Sequence, residues 1–338
     1  MGVPLVKGTE LRYHARMSTP KPTIFLTRAL PDRVMTEIRK HFLLRFNREE
    51  RPLSKKEILQ GVGKADGLIS MLSDPIDRAI IEAAPRLRII ANYAVGYNNI
   101  DIKAATERGI AVTNTPGVLT ETTADLTWGL ILSVARRLPE AEQLIRSGKW
   151  TGWAPTQLLG GDIFGKTLGI IGMGRIGQAV TRRASGFSMR VVYYSRHRLP
   201  IKEEKKLGAS LLPLPELLKE SDFVSLHLPL TEESRHLIDR KAIRTMKPTA
   251  YLINTARGPI VDEKALIAAL RTKKIAGAGL DVFEEEPHLP QRLRALKNAV
   301  LLPHIGSAST ETRVRMGRMV MQNLLALFDG QAPPNMVN

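Results

Sequence analysis

Two doubly wound parallel α/β units are predicted, one inserted into the other. Three observations carry this. Short apolar runs recur along the chain with helical patterns between them, as buried parallel strands and their crossovers require. Leu168-Gly169-Ile170-Ile171 runs into Gly172-Met173-Gly174-Arg175-Ile176-Gly177, a Gly-x-Gly-x-x-Gly turn followed by helical spacing. The chain has 338 residues, too many for one ordinary core.

In order, residues 22–27 read as a strand. Residues 32–42, with Val34, Met35 and Ile38 on one face, read as a helix. Residues 55–62 suggest a second helix, 67–72 a strand, 76–84 a helix and 87–93 a strand. Residues 100–108 are helical and 110–114 extended. Thr115-Pro116-Gly117 breaks this first series. A long amphipathic helix follows over 120–137, and the Gly- and Trp-rich stretch 148–165 reads as a loop. A second series starts at Thr167, with strands at 190–194, 223–228, 250–254, 277–282 and 299–302. A last helix over 310–328 returns to the first unit. The expected division is therefore 22–117 with 304–338 as a substrate domain, and 118–303 as a dinucleotide-binding domain. Residues 1–21 carry Lys7, Arg12, Arg16 and Lys21 without a signal-type apolar core, and read as a flexible extension.

Composition narrows the class. The chain is 43% hydrophobic and 25% charged, an ordinary globular balance. Its longest apolar runs fall short of the ~18 residues of a membrane span, so a cytoplasmic protein is expected. It has no cysteine, which removes disulfides, thiolate nucleophiles and thiolate metal ligands; no metal site is expected. The net charge is +17 and aromatic residues are only 5%. The cations are spread along the chain with no nucleic-acid motif, so they read as a solvated surface with some attraction for anionic substrates.

The glycine turn has a defined chemistry. Gly172 permits the sharp turn, Gly174 leaves a pyrophosphate access to the backbone, and Gly177 lets helix and strand pack closely. Phosphates would meet free N–H groups at the helix start. Beyond it, three groups follow successive strands. Asn254-Thr255-Ala256-Arg257-Gly258 offers a planar cation suited to a carboxylate. Asp281-Val282-Phe283-Glu284-Glu285-Glu286-Pro287 offers acids. Pro303-His304-Ile305-Gly306-Ser307 offers a general acid/base. On one sheet edge, Arg257 would hold a carboxylate and His304, held by Glu286, would move a proton. A nicotinamide would carry the hydride. That set suits interconversion of a 2-hydroxy acid and a 2-keto acid.

With Asn92-Tyr93-Ala94-Val95-Gly96-Tyr97-Asn98-Asn99-Ile100-Asp101, these segments resemble the D-isomer-specific 2-hydroxyacid dehydrogenases over residues 22–338. Within that family the sequence is most similar to glyoxylate/hydroxypyruvate reductases. The resemblance implies a Rossmann-like pair of domains and a catalytic trio of Arg257, Glu286 and His304. It implies that amides of Val95 and Gly96, with Leu72 nearby, meet the substrate. It further implies that Leu228, Pro229, Thr255, Ala256, Asp281, His304 and Gly306 line the cofactor, Asp281 facing the nicotinamide amide. Trp150 and Trp153 read as packing or interface residues, since the family's homodimers pair through the 120–137 helix and the loop after it.

One position departs from NAD sites, which place an acid ~20 residues past the glycines. Here the chain reads Ser195-Arg196-His197-Arg198. Two arginines and no acid there predict preference for NADP(H), with NAD(H) still accommodated, although a basic surface turn would look the same. Two other readings remain. One is a D-3-phosphoglycerate dehydrogenase, which usually carries a C-terminal regulatory domain that this sequence does not show. The other is a non-catalytic, dinucleotide-sensing co-repressor of the same fold.

Overall fold

The computed structural model describes residues 20–338. The predicted 1–21 extension lies almost wholly outside the described residues. The first series runs β1 (Thr23–Leu26), α1 (Asp32–His41), β2 (Leu43–Phe46), α2 (Lys55–Val62), β3 (Gly67–Ser70), α3 (Arg78–Glu82), β4 (Ile89–Asn92), α4 (Ile102–Glu107) and β5 (Ala111–Thr113). Then come α5 (Thr120–Ala135) and α6 (Leu138–Arg146). The second series is β6 (Thr167–Ile171), α7 (Arg175–Ala184), β7 (Arg190–Tyr194), α8 (Ile201–Leu207), β8 (Ala209–Leu211), α9 (Leu214–Glu220) and β9 (Phe223–Leu226). It continues with α10 (Arg240–Thr245), β10 (Tyr251–Asn254), α11 (Glu263–Arg271), β11 (Gly277–Leu280), α12 (Gln291–Arg294), β12 (Ala299–Leu301) and α13 (Thr310–Phe328).

The strands form a five-stranded sheet, β2-β1-β3-β4-β5, and a seven-stranded sheet, β12-β11-β10-β9-β6-β7-β8. Every pairing between these strands is parallel. Their order reverses between β1 and β3 in the first sheet and between β6 and β9 in the second. A crevice opens at such a reversal, outside the carboxyl ends of the strands, which is where doubly wound sheets bind ligands. Helix α5 packs on β10, β11 and β12, and α13 packs on α1 and β4. Central strands are buried along their whole length, as in β3, β4 and β9, because helices cover both faces.

Several strands stop short of their predicted ends. The apolar runs continue past the ladder, so Leu72, Tyr93, Leu228 and Val282 lie in strand-end loops rather than strands. The helix expected over 76–84 is only α3, with Ile76 instead bridging Ile100. Strand β2 escaped prediction because it is an edge strand with alternating exposure and an arginine inside it. Helix α6 escaped it too, and none of its residues is buried.

Candidate active site

The glycine turn leaves β6 with Gly172 at φ 98°, a conformation only glycine adopts at little cost. A Cβ there would lie 2.6 Å from the His227 carbonyl oxygen. Gly172 N–H donates to Tyr194 at 2.8 Å, tying the turn to β7. Gly177 lies so close beneath that its Cβ would stand 2.2 Å from the Gly172 oxygen. Gly174 is the opposite case: it is exposed, and a Cβ on it would meet nothing within 4 Å. Gly174 also starts α7 without any side-chain cap, so the amides there are left for an anion. The pocket thus fits a dinucleotide pyrophosphate. Arg175 is exposed. Met173 is buried in the core, and Ile176 packs against the apolar clusters of both sheets.

Ser195 and Arg196 follow β7 at the rim of this pocket. Arg196 is exposed and its charge acts on Glu233 of the loop after β9. Arg198, expected beside it as a second cation for a 2′-phosphate, is exposed and ion-paired. Its Nε and Nη2 donate to the two oxygens of Glu204 at 2.9 and 2.8 Å. Glu204 is 8% exposed, and also accepts from the Tyr193 hydroxyl. Arg198 and Tyr193 together hold the Glu204 carboxyl below the usual carboxylate range. Sequence spacing gave no signal for this carboxylate, because it comes up from α8 rather than from the strand end.

Arg257, Glu286 and His304 come from the loops after β10, β11 and β12 and converge on one edge. Buried Asn254 shapes the first loop, donating to the Arg257 carbonyl at 2.9 Å and accepting the Ala256 N–H at 3.0 Å. Arg257 donates from Nη1 to the Ala256 carbonyl and from Nε to Asn98 Oδ1 at 3.2 Å. Its guanidinium lies so close to Gly96 that a Cβ there would fall 1.9 Å from Nη2. The loops of the two sheets therefore meet at this arginine. His304 Nδ1 lies 2.8 Å from Glu286 Oε2, while Glu286 Oε1 accepts the Phe283 N–H at 3.0 Å. Burial pushes Glu286 up, but His304, Phe283 and Arg257 outweigh it, and its pKa lies below the usual carboxylate value. The Glu286–Pro287 peptide is cis. His304 itself sits at φ 55°, left-handed backbone that is uncommon outside glycine and concentrates at functional sites.

Asp281 directly follows β11. It is fully buried, and its two oxygens accept the N–H groups of Ile305 and Gly306 at 2.7 and 2.8 Å. It thereby holds the loop that carries His304. Burial raises its pKa against the pull of those two amides. Thr255 bonds the Thr127 hydroxyl of α5 at 3.0 Å. Leu228 is half-buried and Pro229 exposed in the loop after β9. His227 Nε2 lies 2.8 Å from the Ser225 hydroxyl, and burial pushes the imidazole down to about 3. It is neutral at physiological pH and forms part of the wall behind the glycine turn.

On the first sheet, Leu72 is half-buried after β3, and Val95 and Gly96 are half-buried after β4. Their loop is held by side chains that sequence reasoning did not single out. Asn92 Nδ2 donates to the Gly96 carbonyl, and Asn114 Nδ2 to the Val95 carbonyl, both at 2.8 Å. These bonds, with the Thr115 N–H donating to the Ala94 carbonyl at 2.8 Å, fix the peptides that carry the Val95, Gly96 and Tyr97 N–H groups. Asn98 was missed as well, since nothing local marks a residue whose partner lies 159 positions away. Among the described residues no cluster of His, Asp and Glu could hold a metal, and no helix is long and apolar enough to cross a membrane.

Two parallel α/β domains, a glycine turn fitted to a pyrophosphate and a carboxylate-backed histidine beside an arginine define a dinucleotide-dependent oxidoreductase. The family described as D-isomer specific 2-hydroxyacid dehydrogenase, NAD binding domain, matches residues 128–306. A glyoxylate reductase of Korarchaeum cryptofilum is 56% identical over 94% of this chain and 96% of its own length. A solved structure from Thermus thermophilus superposes with a TM-score of 0.87 at 48% identity, covering 94% of this chain and all of that one. An NADPH-dependent glyoxylate/hydroxypyruvate reductase of Sinorhizobium meliloti, solved with NADP and malonate, gives 0.83 at 34% identity over 94% and 97%. The chain belongs to the D-isomer-specific 2-hydroxyacid dehydrogenase family.

Proposed function

We propose that this enzyme reduces glyoxylate and hydroxypyruvate, giving glycolate and D-glycerate, with a reduced nicotinamide dinucleotide as hydride donor. The observation that carries it is an arginine against Gly96 and a histidine braced by Glu286, whose carboxylate feels both charges. Arg257 and the amides of Val95 and Gly96 would take the substrate carboxylate. His304, its Nδ1 engaged by Glu286, would deliver the proton from Nε2 to the carbonyl oxygen as hydride arrives. The bound nicotinamide supplies only the hydride. The half-buried Leu72 side chain limits room beyond the keto carbon, which favours small substrates. The relatives named glyoxylate reductase support the same choice. A panel of 2-keto acids with each reduced cofactor tests it: kcat/KM should be largest for glyoxylate or hydroxypyruvate. A larger value on a branched keto acid or on phosphohydroxypyruvate would overturn it, and no turnover at all would favour a sensor role.

NADPH is the preferred cofactor in this reading, and Arg196 is the residue that makes the difference. A charge-assisted hydrogen bond contributes roughly 1.5–3 kcal/mol, and 1.4 kcal/mol is tenfold in affinity. The site is exposed, which screens part of that. Arg196→Ala should therefore raise KM for NADPH about tenfold and leave KM for NADH within twofold. Arg198→Ala, whose charge is already balanced by Glu204, should do less. Equal weakening for both cofactors in Arg196→Ala would assign that arginine to the turn alone, and wild-type preference for NADH would reject the reading.

A homodimer also follows. Helix α6 buries no residue of its own, and Leu138, Ile145, Trp150, Trp153, Leu159 and Phe164 are exposed between 48% and 83%. So much exposed apolar surface on one arm marks an interface. Light scattering should give twice the chain mass at micromolar concentration, and a stable monomer would count against it.

A further inference from the structure

The first sheet reverses between β1 and β3, and a chain of polar side chains lies behind the loops at that point. The reaction as described uses none of them. Asp74, 1% exposed, accepts the Thr27 hydroxyl at 2.5 Å and the Met71 N–H at 2.7 Å, both on Oδ2. This joins the loop after β1 to the loop carrying Leu72. Asn92, fully buried, accepts the Ser70 hydroxyl at 3.0 Å and donates to the Gly96 carbonyl at 2.8 Å. That joins the end of β3 to the loop carrying Val95 and Gly96. Between the two stands Asn99. Its Nδ2 donates to the Met71 carbonyl at 3.1 Å and to the Asp74 carbonyl at 3.0 Å. Its Oδ1 lies 3.5 Å from Asn92 Nδ2, at the outer limit of a hydrogen bond.

The amide suits this place chemically. Both N–H groups of one nitrogen meet carbonyls of the Leu72 loop, and the oxygen turns to a donor on the Gly96 side. A carboxylate there would set an oxygen against two carbonyls, and a hydroxyl could satisfy only one of them. The main chain adds a tie, Ile76 N–H to the Asn99 carbonyl at 2.8 Å, which would survive loss of the side chain. Asn99 thus ties the Met71–Asp74 loop, through Asn92, to the Val95–Gly96 segment.

We propose that Asn99 is a positioning residue that sets the gap between these two walls, and with it the size of the 2-keto acid accepted. The proposal rests on the reading that Leu72, Val95 and Gly96 meet the substrate. Asn99 acts on that contact only through the two loops, with Asp74 and Asn92 as its anchors.

The test is Asn99→Ala assayed with glyoxylate, a four-carbon 2-keto acid and NADPH, beside wild type. Losing one to two neutral hydrogen bonds predicts a rise of about tenfold in KM for glyoxylate. The kcat and the KM for NADPH should stay within threefold. The ratio of kcat/KM for the four-carbon acid over glyoxylate should rise about tenfold. If this variant does not fold, Asn99→Ser carries the same test with a smaller shift in the same direction, since a hydroxyl can satisfy only one of the Met71 and Asp74 carbonyls. Unchanged glyoxylate KM and unchanged selectivity in a folded variant would overturn the proposal and leave the substrate reading intact. A parallel fall in kcat, cofactor affinity and melting temperature would also overturn it, because that pattern belongs to a merely structural residue. Wild-type enzyme inactive on every small 2-keto acid would instead overturn the substrate reading, and the proposal with it.

Discussion

His304→Ala is expected to lower kcat for glyoxylate reduction by ~10²–10⁴-fold, the usual contribution of a positioned general acid or base. Cofactor affinity, read by quenching of protein fluorescence, should stay within a few-fold of wild type. The reasoning is geometric. Glu286 holds Nδ1 at 2.8 Å, and the buried Asp281 clamps the amides of Ile305 and Gly306 just beyond. The imidazole is thereby held through Nδ1, which leaves Nε2 for the proton transfer of the proposed reaction. The backbone at φ 55° complicates the alanine variant. His304→Asn is the better control, since asparagine tolerates left-handed backbone yet cannot move a proton at neutral pH. Both variants should lose the same catalytic factor while keeping the melting temperature within a few degrees. Turnover within threefold of wild type in either would reject His304 as the acid/base.

The Glu286 contact has its own pH signature. Its folded pKa lies below the ordinary carboxylate value, so it contributes stability above the unfolded value of ~4.3. That contribution is lost as pH falls through the lowered folded value. Glu286→Gln should therefore show less acid-dependent loss of melting temperature than wild type, and equal slopes would contradict the assignment.

How much of this was legible in the sequence depends on how far apart the interacting residues lie. The glycine turn, Arg257, Glu286 and His304 were readable because each is marked by its own neighbours: an apolar strand before it and glycine or proline around it. The central strands were readable for the same reason, since a strand buried on both faces is apolar along its length. The edge strands β2 and β8 carry no such run. Helix α6 touches α5 but buries none of its residues fully, so no core pattern marks it. Glu204 escaped because its partner Arg198 is read naturally as a free cation until the fold brings α8 beneath it. The Asp281 contacts to the Ile305 and Gly306 amides escaped because no local pattern marks main-chain partners 24 and 25 positions away. Asn98 and Asn99 stood in a recognised segment, but their roles exist only across loops.

Arg257→Gln should lower kcat/KM for glyoxylate by about 10²–10³-fold, with most of the change in KM. Truncating one partner of a buried charge pair costs about 2–5 kcal/mol, and 1.36 kcal/mol is tenfold in rate. The arginine is well placed to reach the upper part of that range. Burial pushes its pKa down while Glu286 pushes it back up, and an arginine stays protonated in either case. Its Nε and Nη1 are committed to Asn98 and Ala256, so the guanidinium is held in place with Nη2 close against Gly96. A substrate carboxylate would meet a fork that needs no reorganisation. Arg257→Lys is the informative companion. It keeps the charge but has neither the planar fork nor the bond to Asn98, so it should recover only a minor part of the loss. In the proposed reading the arginine meets the substrate carboxylate and not the cofactor, so cofactor affinity should be unchanged in both variants. A lysine variant restored to within threefold of wild type would mean that charge alone suffices, and a glutamine variant equally active would remove Arg257 from the binding of the carboxylate.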